Sequence, residues 1–455
     1  MVHKLAEFVE NARFDDLSEQ AITQLKIRLL DSFGTAIGAV EGPPVKSIRK
    51  MIRDFGGESM GTLIGGGKSS PDRAAFYNSA LVRYLDFNDS YLAKGETCHP
   101  SDNIGSVLVA SEYSDATGKE LLTALAIAYQ VQCRLSDEAP VRDKGFDHTV
   151  QGSYAVAAGV AKALGLTPDQ TANAIAIAGT ALNALRVTRT GEISNWKGLA
   201  YPHTAFGGTH AAFLAQYGIT GPPAVFEGNK GFMDSIAGEF SIDWKNEDLK
   251  RVTDTIIKKY NAEIHSQSTL EGILELKQEA GFHSRAVDHV DIEIFDVAYN
   301  IIGGGEEGDK TVVRRKEEAD HSLQYMTAAA LLDDEVMPAQ YRQERIESDD
   351  IQMMLQKINV TPSEEYSERF PHEMPVKINV TLKEGSKYSK EKQDYEGFHT
   401  HPMSWDTIVK KFEHLAEPYT TKELREDIID TVGHMESHNA SDLTRLLANV
   451  EIPTN

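Results

Sequence analysis

Apolar residues recur every three or four positions from Leu17 to about Val40 (Ile22, Leu25, Leu29, Leu30, Phe33, Ile37), a spacing that predicts a helix. Ser70-Pro71-Asp72 supplies an N-cap, a first-turn proline and an acid that favours the helix dipole, opening a helix to about Leu85. Further helices are predicted over Lys119–Leu135 and over Thr149–Leu164, the second ended by Gly165. Thr167-Pro168-Asp169-Gln170 reads as a capping box with proline at the first helical position, and its helix runs to about Ala184. Another is expected over Thr204–Tyr217, closed by Gly218. With no strand pattern of any length before about Lys258, this part of the chain is expected to be all-helical.

The pattern then changes. Val290, Ile292 and Ile294 alternate with Asp291 and Glu293, as in a half-buried strand. Val376, Ile378, Val380 and Leu382 do the same, and Glu384-Gly385 offers a turn. Helical stretches lie between them, at His321–Leu332 and Asp349–Leu355. From Met403 the helical period returns through Trp405, Ile408, Val409 and Phe412, then Leu424, Ile428 and Ile429. The expected architecture is mainly α: a large helical domain (1–257), an inserted α+β lid domain (258–397) and C-terminal helices returning to the first domain (398–455).

Composition narrows the function classes. A chain of 455 residues with 41% hydrophobic and 25% charged residues is ordinary for a soluble globular protein of two domains. A net charge of −23 argues against nucleic acid, whose phosphates call for clustered Lys and Arg. An anionic small molecule stays possible, because screening confines surface fields to about 8 Å. Cys98 and Cys133 form no Cys-x-x-Cys pair, and two thiols are too few for an iron–sulfur cluster; no metal and no cofactor is expected. The uncharged stretch between Lys197 and Glu227 is broken by Pro202 and Pro222-Pro223 and makes a poor membrane span. The N-terminus has no apolar run of signal-peptide length, so a cytoplasmic location is expected.

Gly65-Gly66-Gly67-Lys68-Ser69 has Thr62 where a phosphate-binding loop needs its first glycine, and reads as a surface turn. Gly303-Gly304-Gly305 sits beside Glu306-Glu307 and reads as a loop. The stronger chemistry lies in Leu85-Asp86-Phe87-Asn88-Asp89-Ser90 and His99-Pro100-Ser101-Asp102-Asn103, which gather carboxylates, hydroxyls and an imidazole between two helices. Asp86 alone also fits a helix end, and His99 a helix entry with Ser101 as N-cap. His148, Lys197 before a small uncharged run, His265 at the inferred domain junction and Tyr325 complete the candidates, each with a plain structural alternative.

Taken together these motifs resemble the MmgE/PrpD family, which includes 2-methylcitrate dehydratases, cis-aconitate decarboxylases and iminodisuccinate epimerases. The resemblance rests on Tyr84 to Ser90, His99 to Asn103, Asp147-His148, Gly191-Glu192-Ile193-Ser194 with Trp196-Lys197-Gly198, and Ala319 to Met326. It implies a helical domain with a smaller α+β lid, a homodimer, and active-site residues at Asp86, Ser90, His99, His148, Lys197, His265 and Tyr325. Arg83, Arg186 and Arg189 are added as helpers in holding substrate carboxylates. The implied activity is a cluster-independent hydro-lyase acting on 2-methylcitrate or citrate. The alternatives are decarboxylation of cis-aconitate, epimerisation of a dicarboxylate, or a catalytically silent helical binding protein. Asp102 and Ala200 stand where the decarboxylase branch tends to have Gly and His, favouring the dehydratase branch. His203, Phe206 and Gly207 replace the Asn, Arg and Asn expected of that branch, which bears on substrate identity.

Overall fold

The computed structural model describes residues 1–190 and 194–453. The chain divides into two compact units, Met1–Ile256 with Ser404–Asn455, and Ile257–Met403. The family of folds expected from the hydrophobic pattern is the one observed: mainly helical, with small sheets.

In the first unit the predicted helices form with the caps their sequences provide. Ser18 caps Glu19–Gly38 by accepting from the Ala21 amide, and Thr167 caps Pro168–Ala181 through the capping box with Gln170. Helices Pro71–Tyr84, Gly118–Glu138, Thr149–Ala163 and Trp196–Gln216 pack against one another, with nearly all of Thr149–Ala163 buried. Small residues permit this closeness: a Cβ on Gly152 would lie 2.5 Å from the Tyr201 ring. One boundary differs from expectation. The helix expected from Thr204 begins at Trp196 and carries Pro202 inside it, forgoing one backbone hydrogen bond rather than ending there.

The all-helical expectation for this unit is corrected by two short antiparallel ladders. Strands β1 (Gly61–Thr62) and β2 (Lys68–Ser69) flank the triple-glycine turn, and β3 (Tyr91–Ala93) pairs with β4 (Glu96–Cys98). Runs of two or three residues leave no period to detect. The triple-glycine turn is structural: the carbonyls of Gly65 and Gly66 accept from the Arg49 guanidinium at 2.8 and 2.9 Å.

The C-terminal helix Trp405–Ala416 packs on Glu19–Gly38 where Gly34 lets the backbones approach. It brings Lys411 into the interior, 2.7 Å from the Asp31 carboxylate. The Lys411 ammonium also donates to the Phe87 carbonyl at 2.9 Å and lies 3.6 Å from the centre of its ring. At the other end of the same loop, Ser90 and Ile256 exchange two backbone hydrogen bonds of 2.8 Å. The stretch Asp86–Ser90 is thus tied down at both ends.

The second unit holds a four-stranded sheet in the order β6-β5-β7-β8. Here β5 is Val287–Ile294, β6 Ile358–Pro362, β7 Val376–Leu382 and β8 Lys387–Lys392. β5 runs parallel to β6 and antiparallel to β7, and β7 and β8 form a hairpin through the expected Glu384-Gly385 turn. Helix Gln267–Ala280 covers the sheet, and Leu323–Asp333 is capped by Ser322. Among the described residues, no helix is long and apolar enough to cross a membrane.

Candidate functional site

The helix Pro71–Tyr84 ends in a sharp turn. Asp86 adopts φ +53°, a left-handed conformation that Asp tolerates better than most residues, and its amide donates to the Arg83 carbonyl at 3.0 Å. This folds the Asp86 carboxylate back onto the buried Arg83 guanidinium, 2.5 Å away. The same guanidinium faces Asp102, with Nε 3.7 Å from Oδ2. Burial drives the Asp102 carboxyl up, Arg83 draws it down and Asp89 pushes it up again; it settles at about 7. Asn88 holds the other Asp102 oxygen at 2.8 Å and the Ser101 hydroxyl at 2.8 Å.

Asp89 organises the next layer. Its carboxylate accepts from the Ser101 amide (3.0 Å), the Ser101 hydroxyl (2.7 Å) and the Tyr129 hydroxyl (2.8 Å). Its backbone carbonyl lies 2.7 Å from His99 Nδ1, and the Ser90 hydroxyl lies 3.1 Å from the same nitrogen. A carbonyl can only accept, so Nδ1 carries the proton and Nε2 is the basic atom of His99. His99 precedes the short 3₁₀ turn Pro100–Asn103, and Ser101 lies within that turn instead of capping it.

Across from His99 stands His148, their rings edge to face at 5.5 Å. His148 begins the helix Thr149–Ala163 and is fully enclosed. Its Nδ1 is 3.5 Å from the Asp147 carboxylate, and its Nε2 is 3.2 Å from the Arg189 guanidinium. Burial, opposed by Asp147 and reinforced by Arg189, Arg83 and Arg186, holds the imidazole down at about 3, so the ring is neutral. Arg189 also grips Asp147 at 2.6 and 3.3 Å. Burial would raise the Asp147 carboxyl, but His148 and Arg189 hold it well below the usual carboxylate range.

The structure therefore brings Arg83, Asp86, Ser90, His99, His148, Arg186 and Arg189 into one region of the first unit. It spends Arg83 and Arg189 on neighbouring carboxylates, which makes them positioning groups. Arg186 is less committed, 4.0 Å from Asp147. Lys197 sits half-buried in the first turn of Trp196–Gln216. Of its motif, Gly191, Glu192 and Ile193 lie outside the described residues.

His265 and Tyr325 belong to the second unit. His265 is buried, its Nδ1 2.7 Å from a Glu263 carboxylate that also accepts from its amide at 2.8 Å. Burial opposes ionisation of Glu263, but His265 wins and holds that carboxyl at about 2. Phe295 and Phe370 flank the ring. The Tyr325 hydroxyl donates to the Gln340 carbonyl at 2.5 Å from a fully buried ring, a geometry that suits the plain core alternative.

Sequence reasoning quoted Asp89, Asp102 and Asp147 inside motifs without giving them roles, and it passed over Tyr129. The adjacency of Asp147 to His148 was the one local signal available. The others depend on helices distant in sequence.

The MmgE/PrpD N-terminal domain matches residues 3–245, and the MmgE/PrpD C-terminal domain matches 260–436. The chain belongs to the MmgE/PrpD family. A 2-methylcitrate dehydratase of Escherichia coli (strain K12) is 28% identical over 431 residues, 87% of this chain and 86% of that one. A 2-methylcitrate dehydratase of Escherichia coli O157:H7 is 30% identical over 360 residues, 73% of this chain and 71% of the other. A cis-aconitate decarboxylase of Mus musculus is 24% identical over 479 residues, 98% of this chain and 93% of its own length.

Proposed function

We propose that this chain is a hydro-lyase that dehydrates 2-methylcitrate, or citrate, to the corresponding cis-aconitate by side-chain acid–base catalysis. The observation carrying this reading is the His99–His148 pair, 5.5 Å apart, each ring set by its neighbours with the proton on Nδ1 and Nε2 as its basic atom. Similarity to 2-methylcitrate dehydratases over most of the chain supports the choice of reaction.

In this mechanism His99 Nε2 takes the proton from the carbon next to a carboxylate. The electron pair left behind forms the C=C bond as the C–O bond breaks. The hydroxyl departs as water with a proton delivered from the His148 side. Burial and three arginines hold His148 neutral. A tricarboxylate offsets those arginine charges, so the loaded site lets His148 accept and pass on a proton. Each such group is worth ~10²–10⁴ in rate. Lys197 and Arg186 hold carboxylates and stabilise charge growing on the carbon-acid side. His265 and Tyr325 keep a proposed role in turnover, as does Ser90 in donating a hydrogen bond to substrate. A homodimer and a cytoplasmic location belong to the same proposal.

The test is to incubate chelator-treated protein with 2-methylcitrate, citrate, isocitrate and cis-aconitate. Ultraviolet absorbance of a new C=C bond is followed alongside carbon dioxide release. Absorbance growth from 2-methylcitrate or citrate without carbon dioxide is the expected result. Carbon dioxide from cis-aconitate, with no dehydration, would replace this reading by the activity for which the mouse relative is named.

A further inference from the structure

Arg142 and Arg186 lie on adjoining turns next to the Asp147–His148 stretch, and the charge of Arg142 reaches Arg186. Arg142 opens the short turn Arg142–Lys144, which Gly145 closes at φ +86°. Arg186 opens the turn Arg186–Arg189. The two turns are zipped together by backbone: Arg186 N donates to Gly145 O at 2.9 Å, Asp147 N donates to Ala184 O at 2.9 Å, and Phe146 bridges Leu185. This pairing sets the two arginines on adjoining turns. Burial lowers the proton affinity of Arg186, and Arg142 is the next largest contributor in the same direction. Among the described residues, the carboxylate paired with the Arg186 guanidinium is Asp147 at 4.0 Å, already engaged by Arg189 at 2.6 Å.

Glu96 attracts Arg186, but burial opposes the ionisation that this attraction needs. Its Oε2 accepts from the amides of Val141 and Arg142 at 3.2 and 3.1 Å, an arrangement that fixes the Arg142 backbone. Among the described residues its buried Oε1 has no hydrogen-bond partner, and burial pushes this carboxyl up. A folded chain gains nothing by holding two cations together on a rigid backbone clamp. A ligand anion placed across them removes the repulsion and accepts charge-assisted hydrogen bonds from both forks.

We propose that Arg142 and Arg186 form a carboxylate subsite that takes an outlying carboxylate of the substrate and sets the preference for three carboxylates over two. This rests on the polycarboxylate reading of the site, and it adds Arg142 as a specificity-determining residue.

The test uses two unreactive probes that differ by one carboxylate, propane-1,2,3-tricarboxylate and 2-methylsuccinate, with affinities measured calorimetrically on the whole chain. Wild type is expected to prefer the tricarboxylate by about tenfold or more. Arg142→Gln removes most of that preference while leaving 2-methylsuccinate affinity unchanged, and Arg142→Lys restores part of it. In turnover, Arg142→Gln raises KM for the tricarboxylate with kcat little changed. The Arg142 side chain is partly solvent-exposed and the clamp to Glu96 is made by its amide, so the variant keeps its fold. No tricarboxylate preference in wild type, an unchanged preference in Arg142→Gln, or equal weakening of both probes would overturn the subsite. An Arg142-dependent preference in a protein that fails to dehydrate 2-methylcitrate would sink the hydro-lyase reading and leave the subsite standing.

Discussion

Arg189 Nη2 lies 3.2 Å from His148 Nε2, and because a guanidinium only donates, the imidazole proton is confined to Nδ1. A ring held neutral in this way makes folding sensitive to acid. The folded His148 binds its proton only near pH 3, whereas the unfolded ring binds one at about 6.5. Between those values the unfolded chain holds a proton that the native chain lacks, so stability falls as pH drops from about 6.5 toward 3. Melting temperatures between pH 7 and 4.5 should therefore decline more steeply in wild type than in His148→Gln. Parallel curves would place the acid sensitivity elsewhere.

The same electrostatics predicts that ligand binding takes up protons. After burial, the charges of Arg189, Arg83 and Arg186 are what depress His148, and a bound tricarboxylate offsets them. Calorimetric titration with propane-1,2,3-tricarboxylate at pH 6.5, in two buffers of different ionisation enthalpy, should report net uptake of a proton. His148→Gln should abolish most of it. Uptake unchanged in that variant would assign the proton to another group.

Much of the fold was legible because its helices are long and carry their own start signals. Ser18, Thr167 and Ser322 each cap the helix that the apolar period announces. Some elements went unread despite a clear period, such as the helices Val2–Asn11 and Pro43–Phe55, while others offer none: β1 to β4 are two or three residues long, and edge strand β8 is a run of Lys, Tyr, Ser and Glu. Polar edges of this kind discourage strand addition, and they hide the strand from a hydrophobicity reading. In the site, residue types and loop were legible, while partners were not. That Arg83 answers to both Asp86 and Asp102 follows from a left-handed turn at Asp86 that nothing in the local sequence demands. The pairing of Tyr129 with Asp89 joins residues 40 positions apart.

Asp102 carries the opposite sign to His148. Its carboxyl stays protonated to about pH 7 in the fold, against about 3.9 when unfolded. Between these values the native chain holds the extra proton, so this group costs stability as pH rises from about 4 to 7. Asp102→Asn removes the titration, and relative to wild type its melting temperature should improve as pH is raised from 5 to 8. A wild-type-minus-variant difference independent of pH would show that Asp102 is ionised throughout.

His99 and Lys197 should separate in kinetics. His99→Asn removes the basic nitrogen that the Asp89 carbonyl keeps available, and kcat should fall by ~10²–10⁴ with KM little changed. Lys197→Ala removes charge that holds substrate in both ground and transition states, so KM should rise as well. Circular dichroism melts near wild type would confirm that both variants remain folded. Equal effects on kcat alone would argue that Lys197 moves a proton too.

Lys411 links the C-terminal helix to this chemistry through the Phe87 carbonyl and the buried Asp31. Burial raises the Asp31 carboxyl and Lys411 offsets that, so removing the ammonium strands a buried acid. Losing one partner of a buried pair costs ~3–5 kcal/mol, while replacing both by apolar groups is often close to neutral. Lys411→Met should accordingly destabilise strongly, and Asp31→Leu/Lys411→Met should recover most of the loss in denaturant unfolding. Activity should not recover with it, because the double variant still lacks the donor that anchors Phe87 at the start of the Asn88–Ser90 loop. A double variant regaining both stability and turnover would show that Lys411 serves the fold alone.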